Sequence, residues 1–117
     1  MASLIERVTA HYDARKSFSI SVPEWGEPDK PLVVCYRAPT LAILSKVRKD
    51  SGGDELKMAS LLVAICSKDE AGKNLFTPMN WRDIFDRADP AVVQRISTAI
   101  MAEVRFDEAA VEAAEKN

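Results

Sequence analysis

Apolar positions recur at helical spacing between Asp54 and Cys66. Met58, Leu61, Leu62, Ile65 and Cys66 stand at i, i+3, i+4, i+7 and i+8, which is one face of an α-helix. Ala59, Val63 and Ala64 leave little polar surface on the other side, so the segment is expected deep in the fold. A buried strand over Leu61–Cys66 is the rival reading, because a short apolar run does not separate the two by periodicity. Length favours the helix, with Asp54 and Glu55 suited to its start and Lys68 and Gly72 to its finish. This helix is the expected centre of the domain.

The remaining pattern divides around it. Ser3-Leu4-Ile5-Glu6 fits a capping box, and Leu4, Val8 and Tyr12 follow at intervals of four, predicting a short amphipathic helix to about Arg15. Ser17–Val22 alternates strictly, with Phe18, Ile20 and Val22 on one face of a half-buried strand. Pro23, Gly26, Pro28 and Pro31 then punctuate a loop that carries Trp25, before a second strand over Leu32–Tyr36. Nine residues are long for a hairpin connection, which marks the loop as a place for function. Thr40 caps the next helix, with Leu41, Leu44 and Val47 inward and Ser51-Gly52-Gly53 at its end. Thr77-Pro78 and Asp89-Pro90 each pair an N-cap with proline at the first helical position. The first opens a helix to about Arg87, with Trp81, Ile84 and Phe85 apolar and Asp83 placed to pair with Arg87. The second opens the longest helix, with Val92 or Val93, Ile96, Ile100 and Val104 inward.

The expected fold is therefore α+β and mostly α-helical, an N-terminal β-hairpin packed on a bundle of four or five helices. Residues 1–16 form a short helical segment and 17–106 a single domain, with the hairpin over 17–37 and the helices over 40–106. Residues 107–117 form a mobile helical tail. Beyond Phe106 the tail has good helix formers and little besides Val111 to bury. It is either a frayed extension or an element that docks on a partner.

Composition narrows the function classes. The chain of 117 residues is long enough for one core without disulfides or metals. Sixteen basic and eighteen acidic side chains give a formal charge of -2, which offers no general attraction for nucleic acid or anionic lipid. Cys35 and Cys66 each lie in an apolar run and read as buried free thiols. No apolar leader and no stretch of membrane-spanning length is seen, so a soluble protein of a reducing cytoplasm is expected, with no membrane partner.

Candidate chemistry is sparse. His11 is the single histidine, and nothing around it has metal-ligand spacing. Asp69, Glu70 and Asn74 around Gly72 carry some oxygen ligands of a calcium loop, but the alternating ligands and closing glutamate are missing, and a glycine-terminated helix end explains them. Asp83 and Asp86 are flanked by Arg82 and Arg87, which reads as a solvated, salt-bridged face. No serine or cysteine has a local histidine to activate it, and no glycine-rich phosphate loop is present. The residues predict no catalytic, metal or cofactor site.

Two pieces of the chain carry a resemblance. One is Val22-Pro23-Glu24-Trp25-Gly26 followed by Leu32-Val33-Val34-Cys35-Tyr36-Arg37. The other is the apolar helix leading into Ser67-Lys68-Asp69-Glu70-Ala71-Gly72-Lys73-Asn74-Leu75-Phe76-Thr77, then a helix and the Val92-Val93-Gln94-Arg95-Ile96 helix. Over about Phe18 to Met101 the chain resembles the tail assembly chaperones of long-tailed bacteriophages and prophages. In that family a D-E-x-G stretch, a phenylalanine a few residues on, and two closing helices recur in this order. Tyr36-Arg37-Ala38-Pro39 and Trp81 depart from the pattern.

The resemblance implies a non-enzymatic protein, in the cytoplasm of a host bacterium, that binds the tape measure protein, tail tube protein or both while the tube assembles. It also implies self-association and no cofactor. Trp25, Phe106 and Val111 are the expected partner contacts: Trp25 as an apolar anchor in a loop of polar residues, the other two as the apolar groups of the tail. Phe76, just before the Thr77 cap, is expected in the core. The alternative is a small cytoplasmic regulatory or nucleic-acid-binding adaptor, against which the near-neutral charge and the lack of a basic recognition helix count. A small enzyme whose site is completed by oligomerisation is a third reading.

Overall fold

In the computed structural model, which describes residues 2–104, helix α3 (Glu55–Cys66) is the element on which three other α-helices meet. Its Asp54 cap works as the sequence predicts, Oδ1 accepting from the Leu56 and Lys57 amides at 2.9 and 3.1 Å. Ala59 through Ala64 and Cys66 are buried. Four further helices and one two-stranded antiparallel sheet complete the described architecture: α1 (Leu4–Asp13), β1 (Phe18–Glu27), β2 (Lys30–Tyr36), α2 (Leu41–Ser51), α4 (Trp81–Arg87) and α5 (Pro90–Met101). The class is α+β and mostly helical. The core joins Val22 and Val34 of the sheet to Leu62 and Val63 of α3 and to Val92, Ile96 and Ile100 of α5.

The hairpin departs from the expected nine-residue loop. Phe18 pairs with Tyr36, and the register runs without slip to Val22 opposite Leu32, then resumes at Glu27 opposite Lys30. Pro23–Gly26 thus face Pro31 alone, and only Pro28 and Asp29 turn the chain. Prolines interrupt the ladder because they donate no hydrogen bond, yet their fixed φ suits extended chain beside a bulge. Gly26 closes the bulge against β2. A Cβ there would stand 2.5 Å from both the Leu32 nitrogen and the Lys30 oxygen. Trp25 consequently lies within a strand and is half-buried, not at a loop tip.

Helix α2 begins as read, with Thr40 Oγ1 accepting from the Ile43 amide at 3.2 Å, and ends at Gly52 in the left-handed region, φ 62°. Its inward face agrees with the expectation at Val47 and in part at Leu44, but not at Leu41. Leu41 is 85% exposed, whereas Val47 and Ser51 are buried and Ile43 and Leu44 half-buried. Spacing of four from Ile43 through Val47 to Ser51 defines the buried stripe. Reading it from Leu41 places the stripe too far round the helix.

Between α3 and α4 the chain does more than break. Lys68 and Cys35 exchange backbone hydrogen bonds, both 2.8 Å, and the Leu75 amide donates to the Ser67 carbonyl at 3.1 Å. The segment thereby folds back along β2. Asp69 Oδ1 accepts from the Ala71 and Lys73 amides, both at 2.9 Å, so the acidic turn is closed by its own backbone. Asn80 Oδ1 accepts from the Thr77 amide at 2.9 Å to start the 3-10 turn Pro78–Asn80 that leads into α4. Asp89 caps α5 through the Ala91 amide at 2.9 Å.

The expected Asp83–Arg87 pair is not among the ion pairs of the described residues, which are Lys46–Asp50 and Glu24–Arg95. Arg82 instead lies over the Trp81 ring, 5.6 Å from its centroid.

Helix α1 ends at Asp13, short of Arg15, and buries none of its residues. Its C-terminal end is held by polar contacts. The Tyr12 hydroxyl donates to the Ala38 carbonyl at 2.6 Å, and the Arg37 guanidinium donates to the Tyr12 carbonyl while stacking 4.6 Å from its ring. Arg15 donates to the Glu103 carbonyl at 3.1 Å.

Candidate partner-binding surfaces

Of the three residues expected to contact a partner, Trp25 alone lies within the described residues; Phe106, Val111 and the tail over 107–117 fall outside them. The bulge that redirects β1 turns the Trp25 side chain toward Phe76, whose ring it meets edge-on with centroids 6.2 Å apart. Phe76 is half-buried against the core, as its position before the Thr77 cap predicts. Trp25 borders two depressions. One, of about 620 Å³, lies between the hairpin end and the Asp69–Ala71 turn; the other, of about 430 Å³, is lined by Phe76, Ile84, Asp83 and Arg87. Trp25 is therefore an aromatic wall shared by two shallow hollows, anchored on one edge by Phe76.

Glu24, beside it, forms a fork with Arg95 of α5, with contacts of 2.8 and 2.9 Å. The Arg95 hydrogen bonds hold the Glu24 carboxyl at about 2, below the ordinary 4.5. Bidentate geometry of this kind fixes orientation as well as charge. It ties the bulged strand to the last described helix across 71 residues of sequence.

A third surface was not legible in the pattern. Between α3 and α5 runs a groove of about 530 Å³, floored by Met58, Ala59 and Leu62 and walled by Ser97, Thr98 and Met101. It shares Ala59 and Gln94 with a smaller hollow beside Leu56 and Phe85. Leu56 is 60% and Met101 40% exposed. Met58 belongs to the predicted inward face of α3, and it does point toward α5, but the two helices leave it half-covered. Long unbranched methionine side chains on a groove adapt to more than one occupant.

The groups that sequence reading weighed for chemistry are dispersed. His11 is exposed on α1, and Cys35 and Cys66 are free thiols, the second buried. Burial pushes the Cys66 thiol up to about 11, which disfavours a nucleophilic thiolate. Among the described residues no three histidine, cysteine or acidic side chains converge as metal ligands, and no helix is long and apolar enough to cross a membrane. What the arrangement offers is two hollows at Trp25, the first bordered also by Glu27, Lys30, Asp69 and Glu70, and a mainly apolar groove between α3 and α5.

No protein-family model matches the chain, and comparison with curated proteins and with solved structures finds no match.

Proposed function

We propose that this protein is a non-enzymatic tail assembly chaperone of a long-tailed bacteriophage or prophage, working in the host bacterial cytoplasm. Its client is the tape measure protein, handed on as tail tube protein assembles. The observation that carries the reading is the α3–α5 groove. The domain leaves Met58 and Met101 along an open channel floored by the buried Leu62, and an amphipathic helix laid in such a channel is a recurrent mode of recognition. A tape measure protein presents long helices whose apolar stripes need cover until the tube encloses them.

In this reading Trp25 adds a contact outside the groove, and Phe106 and Val111 add further contacts to the partner. The hairpin acts as a rigid brace on the helical bundle, because Glu24 binds it to α5. The test is co-expression with the tape measure protein encoded nearby. The parent chain should co-purify with it, and Met101→Glu should lose most of the partner while keeping its melting temperature. Equal recovery by both chains would remove the groove from the interface, and failure of the parent chain to retain any tape measure protein would remove the chaperone reading.

A further inference from the structure

Strand β2 is paired with β1 on one edge and only partly covered on the other. In an antiparallel ladder the residues of a strand turn their backbone groups alternately to the two sides. The Cys35 amide and carbonyl both go to Lys68, on the side away from β1. The register is unbroken from Tyr36 to Leu32, so the Val33 N–H and C=O point to that same side. Among the described residues neither has a backbone partner there. The reason is local. Continued antiparallel to β2, the chain after Lys68 would bring Glu70 opposite Val33. Instead the Asp69 amide donates to the Lys73 carbonyl at 2.8 Å, and Asp69 Oδ1 accepts from the Ala71 and Lys73 amides. The turn draws the chain off β2 before it reaches Val33. The hollow of about 620 Å³ lies where the strand would have continued, between Pro31, Leu32 and Val33 and the Asp69–Ala71 turn.

We propose that this slot takes the free amino terminus of an extended peptide from another protein, added as a short strand antiparallel to β2. The peptide's first residue, opposite Val33, gives its ammonium to the Val33 carbonyl and accepts from the Val33 amide. Its third residue donates to the Pro31 carbonyl. Proline has no N–H to return, so pairing ends there and the edge does not invite a longer strand. Lys68 already holds the position opposite Cys35, so a chain running this way has to begin in the slot. Charge selects the direction. Glu27, Asp69 and Glu70 line the hollow against one cation, Lys30, and none of the four is in an ion pair among the described residues. The neighbouring cation, Lys68, gives its Nζ to Asn74 at 2.7 Å. Burial pushes the Cys35 thiol up, and the Glu70 and Asp69 carboxylates push it further, so their field reaches this end of the edge. That field stabilises an ammonium. A chain running parallel to β2 would instead end there and bring its carboxylate to the same place. Trp25, on the far wall, offers apolar cover to a peptide side chain. The slot is a different surface from the α3–α5 groove and does not rest on the chaperone reading.

Titration of the isotope-labelled full chain with the pentapeptide amide Val-Thr-Val-Thr-Gly, followed by NMR, tests this. The peptide with a free amino terminus should shift the Val33 amide resonance and slow its exchange with solvent. So small a contact should have a Kd on the order of 1 mM. Acetylating the peptide's amino terminus should weaken binding at least tenfold. Glu70→Lys, at an exposed position of the turn, should do the same, whereas Asp86→Lys, exposed on α4, should leave binding unchanged. Circular dichroism melts establish that both variants are folded. A Val33 amide that does not move by about 10 mM peptide overturns the proposal. So does equal binding of the acetylated peptide, binding that survives Glu70→Lys, or an equal loss with Asp86→Lys, which would reduce the effect to general charge.

Discussion

Glu24 and Arg95 meet as a two-bond fork, 2.8 and 2.9 Å, between a strand bulge and the middle of α5. Neither residue has a sequence neighbour that announces the other. The bulge aims Glu24 sideways, and the outward face of α5 receives it. Both side chains remain nearly half exposed, at 45 and 43%, so solvent and salt screen the pair and its role is chiefly positional.

That pair gives the fold an acid dependence of known sign. The Glu24 carboxyl titrates at about 2 when folded, against an ordinary 4.5. A depressed carboxyl contributes stability in full above the unfolded value, and the contribution disappears as pH falls through the folded one. Glu24→Gln should therefore flatten the loss of melting temperature between pH 4.5 and 2 relative to the parent. The two proteins should differ most near pH 7, by a modest amount because the pair is solvent-screened, and converge toward pH 2. Parallel slopes for the two proteins across that window would show that the fork does not persist in solution.

Leu62 and Leu41 test where the core lies. Leu62 is 3% exposed and Leu41 85%. Leu62→Asp places a carboxylate in the core with no partner and should abolish cooperative unfolding, while Leu62→Ala should cost about 2–5 kcal/mol. Leu41→Asp should change stability by less than about 0.5 kcal/mol. Denaturant melts of the three variants decide it. A large loss for Leu41→Asp would place α2 in another rotation.

Gly26 should tolerate no side chain. Its Cβ would enter the backbone of Lys30 and Leu32, neither of which can yield as a flexible side chain would. Gly26→Ala should destabilise by about 1–3 kcal/mol, the range of overpacked sites. It should also shift the Trp25 fluorescence, because the bulge that aims the indole at Phe76 would open. An unchanged melting curve would mean that the bulge is not closed in this way.

Helix α1 should move independently of the core. It buries nothing and is held by Tyr12, Arg37 and Arg15. Tyr12→Ala should raise amide hydrogen exchange across residues 4–13 by tenfold or more while leaving the global transition in place. A fall in melting temperature comparable to a core substitution would make α1 part of the cooperative unit.

Cys66 should resist thiol reagents at pH 8 until the protein unfolds, because burial raises its pKa to about 11 and the same burial blocks access. Timed labelling with and without denaturant, read by mass spectrometry, measures this. Rapid native labelling at Cys66 would show that α3 opens readily.

By itself the sequence determined what short-range rules govern. Periodicity set the α3 and α5 helices, and the side chains of Ser3, Thr40, Asp54 and Asp89 set helix starts by satisfying amides one turn away. Alternation set the paired part of the hairpin, from Phe18 to Val22. The apolar run around Leu62 set the centre of the core. Tertiary structure decided the rest, because those features depend on groups far apart in the chain. Whether Pro23–Gly26 is loop or bulge depends on Pro31 and Leu32 across the hairpin. Which face of α2 is buried depends on what it meets, and Leu41 and Ile43 are equally apolar to a pattern. The fold-back of Lys68 onto Cys35 uses backbone groups that every residue carries, so composition gives no sign of it. The candidate surfaces followed the same division. Trp25 stood out as an aromatic among polar residues, but its Phe76 partner and the α3–α5 groove arise only where separately predicted helices pack and leave a gap.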